Sequence, residues 1–399
     1  MPGQGQTFGD LYRTVSEARL LECLRLEGYA HISDPDIALR DATFALSQWI
    51  KDGLSFREKE REGRHFDPVE VICHMKSAGR LGRDDVWQRC FVTTLRRFVS
   101  DQTYRAGSHV KLDYARRFYT PHVAEGQSLR LRLPLPLAGR YTELDIEPVL
   151  PVEATAHRLS DGRLEVRATA TKTARLDIGA RLSFKLPDLQ TLPAPESFEP
   201  YLKAKDGLVV VTSKIAALSQ HLAGDATAER ALASFWDYLM DNFQFNPLHY
   251  DQIPAEAPLD WVMETGSYDC QLASAFFVAL CRARGLPARL TGGHFLYPLS
   301  PTNHYWAEVW LESNGWTPFD FLSWDLSSGG TDASWRNHFF GQLDARLVTE
   351  CLPHNFTGPI GVPIPPVWHI LRSMTRHGVE ITFTGLDGPP VYEDRLALL

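Results

Sequence analysis

At 399 residues, with 44% hydrophobic and 23% charged side chains, the chain has the composition of a globular protein and the length for two or three domains. That excludes a wholly disordered chain. Its 41 basic residues against 49 acidic ones give a formal net charge of −8, which argues against a nucleic-acid partner gripped through a basic face.

The first hundred residues carry a helical period. Asp34 to Lys51 places Ile37, Ala38, Phe44, Ala45 and Trp49 at near-helical spacing, and Val86 to Val99 repeats the pattern. Between them the charged stretch Ser55 to His65 reads as a solvated helix or loop. Residues 1–105 are therefore expected to form a helical segment. Cys73-His74 has no companions at ligand spacing, so no metal site and no cofactor are expected.

From about Lys111 the period changes to two. Leu129, Leu131 and Leu133 alternate with Arg130 and Arg132 until Pro134 and Pro136 end the run. Asp161-Gly162 between His157-Arg158-Leu159 and Leu164-Glu165-Val166 is a hairpin signal. Leu176, Ile178, Leu182, Phe184 and Leu186 continue the alternation. Residues 108–187 read as a small β-sandwich, and Pro187, Pro193, Pro195 and Pro200 as a linker.

Helical pattern returns after Gly224, with Asp225 as N-cap and Ala231, Phe235, Leu239 and Phe243 along one stripe. A second helix runs from Tyr268 or Asp269 to Arg284 and stops at Gly285, with Pro287 beyond. Strands follow at Ala288–Thr291, Tyr305–Leu311 and Trp316–Leu322. Residues 200–399 thus read as an α+β domain with a C-terminal extension.

Six cysteines in this length are too few for a disulfide scaffold, and none forms a Cys-x-x-Cys pair. Met1 to Asp10 shows no basic stretch followed by an apolar run, and no apolar window approaches about 20 residues. A cytoplasmic protein with no membrane partner is expected. One cysteine then stands out by position. Cys270 opens a helix, where unpaired N–H groups and the helix dipole lower a thiol pKa, whereas Cys281 lies eleven residues further into the same helix, as a core residue does. His304 opens one strand and Asp320 ends the next. A thiolate nucleophile, an imidazole to carry its proton and a carboxylate to orient the imidazole make the cysteine form of a catalytic triad.

Gly266-Ser267-Tyr268-Asp269-Cys270, followed by Leu272, Ala273, Phe276, Leu280 and Arg284-Gly285-Leu286-Pro287, resembles the nucleophile helix of bacterial transglutaminase-like proteins. His304-Tyr305-Trp306-Ala307-Glu308-Val309-Trp310 and Gly315-Trp316-Thr317-Pro318-Phe319-Asp320 are similar to that family's His and Asp strands. The blocks keep the family's order, 34 residues from Cys to His and 16 from His to Asp. Weaker likeness extends to the Leu129–Leu137 strand and to Phe339-Phe340-Gly341-Gln342-Leu343-Asp344. The resemblance implies a papain-like, transglutaminase-like fold. It also implies roles: Cys270 as nucleophile on an amide or thioester carbonyl, His304 as base and then acid, Asp320 as its orienter. The backbone N–H of Cys270 would be one oxyanion donor, with Trp261 or Gln271 as candidates for a second. Phe321 stands where the family often has proline. No calcium loop is visible, so calcium dependence is not carried over.

Pairing imposes a parity test. A two-residue turn at Asn314-Gly315 makes facing residues sum to 629, an odd number that puts His304 and Asp320 on opposite faces. The pair needs an even sum near 624–626, hence an odd loop or a bulge, with Gly315 suited to a positive φ. The expected function is acyl transfer from a peptide, protein or acyl-thioester donor to an amine acceptor. A cysteine peptidase or amidase using water, and a non-enzymatic interaction protein keeping the fold, remain alternatives.

Overall fold

The computed structural model describes residue 92 and residues 95–399, less 120–123, 138, 161, 173–174, 189–191, 246–252, 255, 298–302, 329–331, 353–367, 376–377 and 386–389. Most of the expected N-terminal helical segment and Cys73-His74 therefore lie outside the described residues. Residues 95–100 are helical and bury Leu95, Phe98 and Val99.

Period-two alternation becomes β1 (His109–Tyr119), β2 (Ser128–Leu133), β3 (Thr142–Val149), β4 (Thr155–Arg158), β5 (Leu164–Thr169) and β6 (Arg175–Lys185). Strand β2 stops before Pro134, and β4 and β5 pair antiparallel across a turn in which Gly162 takes φ +88°. After a short ladder of β7 (Lys205–Asp206) and β8 (Val209–Val210) come α1 (Ser213–Ala223), α2 (Ala228–Asn242), β9 (Gln244–Phe245), α3 (Pro258–Thr265) and β10 (Ser267–Tyr268). Next are α4 (Cys270–Ala283), β11 (Ala288–Phe295), β12 (Asn303–Leu311), β13 (Gly315–Phe319), α5 (Leu322–Ser328) and β14 (Arg346–Cys351). The chain closes with β15 (Trp368–Thr375), β16 (Gly378–Gly385) and β17 (Pro390–Leu398).

The strands of residues 108–187 are divided between two sheets. Strands β2, β5 and β4 make a three-stranded sheet, but β1, β6 and β3 belong to a six-stranded sheet of order β15-β16-β17-β1-β6-β3. The last strands of the chain thus return to the first unit. Strand β17 pairs with β1 from Leu112↔Leu398 to Phe118↔Tyr392. This pairing covers seven of the eleven residues of what would otherwise be an open edge of β1. Arg116 donates two hydrogen bonds, 2.6 and 2.7 Å, to the Asp394 carboxylate in a buried fork across the two strands. Val110, Leu133, Val166 and Phe184 from the two sheets share a core with Trp306 and Leu347 from the half that carries Cys270.

In that half α4 packs between a four-stranded sheet, order β13-β12-β11-β14, and α1, α2 and α3. Every residue from Gln271 to Arg282 is buried, as expected of a helix apolar on nearly all sides. Two details of the helices differ from the sequence reading. Helix α1 precedes Gly224, and Thr227 rather than Asp225 is the N-cap residue of α2.

Candidate active site

Helix α4 begins where the sequence places it. Asp269 is the N-cap, and its side chain accepts a hydrogen bond from the Leu272 N–H at 2.8 Å, so Cys270 is the first helical residue. Tyr268 is fully buried just before it, against Phe243, and fixes the chain's entry to the helix. Cys270 is half-buried, while Cys281 and Cys351 are buried. The backbone N–H groups of Tyr305 and Gln271 face the Cys270 sulfur, which brings the nucleophile candidate to the start of β12.

The β12–β13 hairpin meets the parity requirement. Pairs from Ala307↔Phe319 to Leu311↔Gly315 hold a constant sum of 626, with Glu312, Ser313 and Asn314 as a three-residue loop. The Asn314 N–H bonds the Leu311 carbonyl at 3.2 Å and Gly315 takes φ +69°, the usual three-residue solution. His304 and Asp320 consequently share a face. His304 Nε2 and Asp320 Oδ1 are 2.8 Å apart, both residues buried. A carboxylate accepts only, so Nε2 carries the proton and Nδ1 offers the lone pair. The imidazole stacks on Phe295 at 4.4 Å, which holds the ring plane.

Asp320 is held from three sides. Its Oδ1 also accepts the Leu322 N–H at 2.8 Å, and its Oδ2 lies 2.5 Å from Arg346 Nη1. The latter contact is an ion pair without an aligned hydrogen bond. Burial alone would push the Asp320 carboxyl up, but His304 and Arg346 outweigh it and hold it at about 2. Arg346 donates from Nε to Asp344 at 2.9 Å, and Asp344 accepts from the Tyr297 hydroxyl.

The thiol departs from the sequence reading. Burial pushes the Cys270 pKa well above its ordinary value, the carboxylates of Asp269 and Asp320 push it further, and the two N–H contacts only oppose this. The helix start does not overcome desolvation plus two negative charges, so the resting group at neutral pH is the thiol. Burial also raises Cys281. Of the oxyanion candidates, Gln271 is buried within α4, and Trp261 of α3 packs against the core. Phe321, in the place of the family's frequent proline, stacks on Trp236 at 4.6 Å and is a core residue.

Sequence reasoning missed Arg346, although the Phe339–Asp344 segment it singled out leads directly to it. It also missed Glu308, buried beneath a fork from Arg140 and Arg289 on the strand that carries His304. A cavity of about 470 Å³ is lined by Arg140, Trp306, Trp316, His338, Phe339 and Arg346; Cys270, His304 and Asp320 are not among its walls. Among the described residues, no cluster of three or more His, Cys, Asp or Glu side chains could hold a metal ion, and no helix is long and apolar enough to cross a membrane.

No curated protein matches the chain. Among solved structures, a candidate cysteine protease from Cytophaga hutchinsonii is similar at TM-score 0.44 and 12% identity, with 72% of this chain and 98% of that one covered. The periplasmic domain of TgpA from Pseudomonas aeruginosa is similar at TM-score 0.32 and 15% identity, covering 62% of this chain and 96% of that one. A candidate protease from Parabacteroides distasonis is similar at TM-score 0.25 and 13% identity, covering 53% and 42%. The sequence profile of the Transglutaminase-like superfamily matches residues 216–321, the segment from α1 to the residue after Asp320. Over that segment the chain is similar to the transglutaminase-like superfamily.

Proposed function

We propose that this protein is a thiol enzyme that transfers an acyl group from an amide or thioester donor, through a Cys270 acyl-enzyme, to an amine acceptor. The observation that carries the reading is the 2.8 Å His304–Asp320 contact beside a helix-start cysteine that receives the Tyr305 N–H. Asp320 fixes the proton on Nε2, so Nδ1 takes the thiol proton as the sulfur attacks the carbonyl carbon. The carbonyl becomes an oxyanion, and the Cys270 N–H at the open end of α4 is one donor to it. His304 then passes the proton to the departing amine or thiolate, leaving a thioester on Cys270. An incoming amine, deprotonated by His304, attacks that thioester and restores the thiol.

Hydrolysis uses the same steps with water as acceptor, and water exclusion around the acyl-enzyme decides between the two. Intact-protein mass spectrometry after incubation with acyl thioesters and glutamine peptides tests the reading. An acyl adduct on wild type and none on Cys270→Ala is expected. Added primary amine should discharge the adduct as the amide; discharge only as free acid, at any amine concentration, assigns hydrolysis. No adduct with any donor, together with no Cys270-dependent turnover, sinks the enzymatic reading.

A further inference from the structure

We propose that Arg346 is a positioning residue of the site: by its charge and its fork between Asp320 and Asp344, it keeps the Asp320 carboxylate ionised with Oδ1 turned to His304. The inference rests on the role assigned to Cys270 and His304 above.

Geometry carries it. Arg346 Nη1 stands 2.5 Å from Asp320 Oδ2, leaving Oδ1 for His304 and for the Leu322 N–H. Its Nε is tied to Asp344, and its guanidinium lies over the rings of Phe295, Trp306 and Phe339 at 4.8, 4.9 and 5.2 Å. Phe295 is also the ring on which His304 stacks, so one side chain supports both the arginine and the imidazole. A buried guanidinium sandwiched in this way is fixed in direction, which a surface lysine is not.

The alternative at Asp320 is a neutral acid. A carboxyl this deeply buried tends to protonate unless cations face it, and a protonated Asp320 cannot fix the imidazole tautomer. Around the Asp320–Arg346 contact the facing titratable groups are His304 on β12, Cys270 at the start of α4, and Asp344, Tyr297 and His338 around the arginine. Arg346 is the permanent cation among them. Removing its charge raises the proton affinity of Asp320 and Cys270, so the acid limb of any reaction at the sulfur moves to higher pH.

The experiment measures the rate of Cys270 alkylation by iodoacetamide against pH, with peptide mapping, in wild type, Arg346→Met, Arg346→Lys and Asp344→Asn. Arg346→Met is expected to move the acid-limb midpoint up by about one pH unit, while Arg346→Lys stays within a few tenths. Asp344→Asn, which removes an opposing charge, is expected to move it down, and it serves as the test if Arg346→Met does not fold. A purely structural arginine would lower the rate at every pH without moving the midpoint, and that result overturns the proposal. Equal shifts in the Met and Lys variants overturn it too. His304→Asn separates the two readings. If wild-type labelling of Cys270 does not depend on His304, the proposed function falls and this role falls with it. If labelling depends on His304 but no midpoint moves, only the role of Arg346 falls.

Discussion

His304 and Asp320 meet at 2.8 Å because the hairpin between them turns on three residues, so the carboxylate and the imidazole emerge on one face of the β12–β13 ladder. Asp320→Asn tests the contact. An amide at this position offers no charge to an imidazolium and can present the wrong hydrogen-bonding partner, and by analogy with a serine triad turnover should fall about 10⁴-fold. The fold should weaken as well, because Arg346 loses one of its two carboxylate partners; a loss of about 3 kcal/mol in urea unfolding is expected. An Asn variant that keeps near-full turnover would show that the contact is not catalytic.

The site was legible because its parts are local. The apolar run ended by Gly285 and Pro287 marked α4 to within a residue or two, and parity arithmetic on the assumed His304–Asp320 pair demanded the odd loop. Arg346 was not legible, since β14 is buried throughout and its arginine follows no period. Its partner Asp320 lies across the sheet order, and no short-range pattern reports such a pairing. The return of β17 to β1 was hidden for the same reason: alternation identifies a strand but not its neighbour.

Two buried groups should separate in their pH windows. His294 is almost fully buried, neither ring nitrogen has a hydrogen-bond partner, and burial lowers its pKa from 6.5 to about 4. The unfolded chain binds that proton below about 6.5 while the folded one does not until about 4, so stability falls as pH drops through that interval, by at most about 3 kcal/mol. Asp320, depressed to about 2, stabilises the fold above the ordinary carboxylate range and loses that contribution only as pH falls towards 2. Urea midpoints for wild type and His294→Leu between pH 7 and pH 4 check this. The Leu variant should lose most of the slope, and an unchanged slope would remove His294 as its source.

Gly293 and Gly315 should differ sharply in tolerance to alanine. A Cβ on Gly293 would lie 1.8 Å from the Leu347 carbonyl oxygen, where β11 and β14 shift register. The strands must separate to admit it, and β14 carries Arg346. Gly293→Ala should cost more than about 3 kcal/mol or prevent folding, consistent with severe overpacking. Gly315→Ala meets the positive-φ penalty of about 1–2 kcal/mol. Thermal denaturation of both variants decides the order; equal effects would contradict the close approach at β11.

Glu308 ties the strand of His304 to both halves of the molecule. It accepts from Arg140 Nη1 and Nη2 at 3.0 and 2.6 Å, from Arg289 Nε and Nη2 at 2.9 and 2.6 Å, and from Trp306 Nε1 at 3.0 Å. Arg140 comes from the segment before β3, Arg289 from β11. Burial would raise the Glu308 carboxyl, but the two arginines hold it well below the usual range. Glu308→Gln leaves two buried guanidinium groups facing a neutral amide, and breaking such a cluster from one side costs roughly 3–5 kcal/mol. Replacing all three charges together by Leu and Met should recover most of that, since the ions also lose their desolvation penalty. Because residues 304, 306 and 308 share a face of β12, the Gln variant should also loosen His304 and slow the His304-dependent alkylation of Cys270, and the triple variant should restore both stability and labelling. If the triple variant is as unstable as Glu308→Gln, the cluster contributes more than charge balance, and packing of the long arginine stems would be the part of it that holds β12 in place.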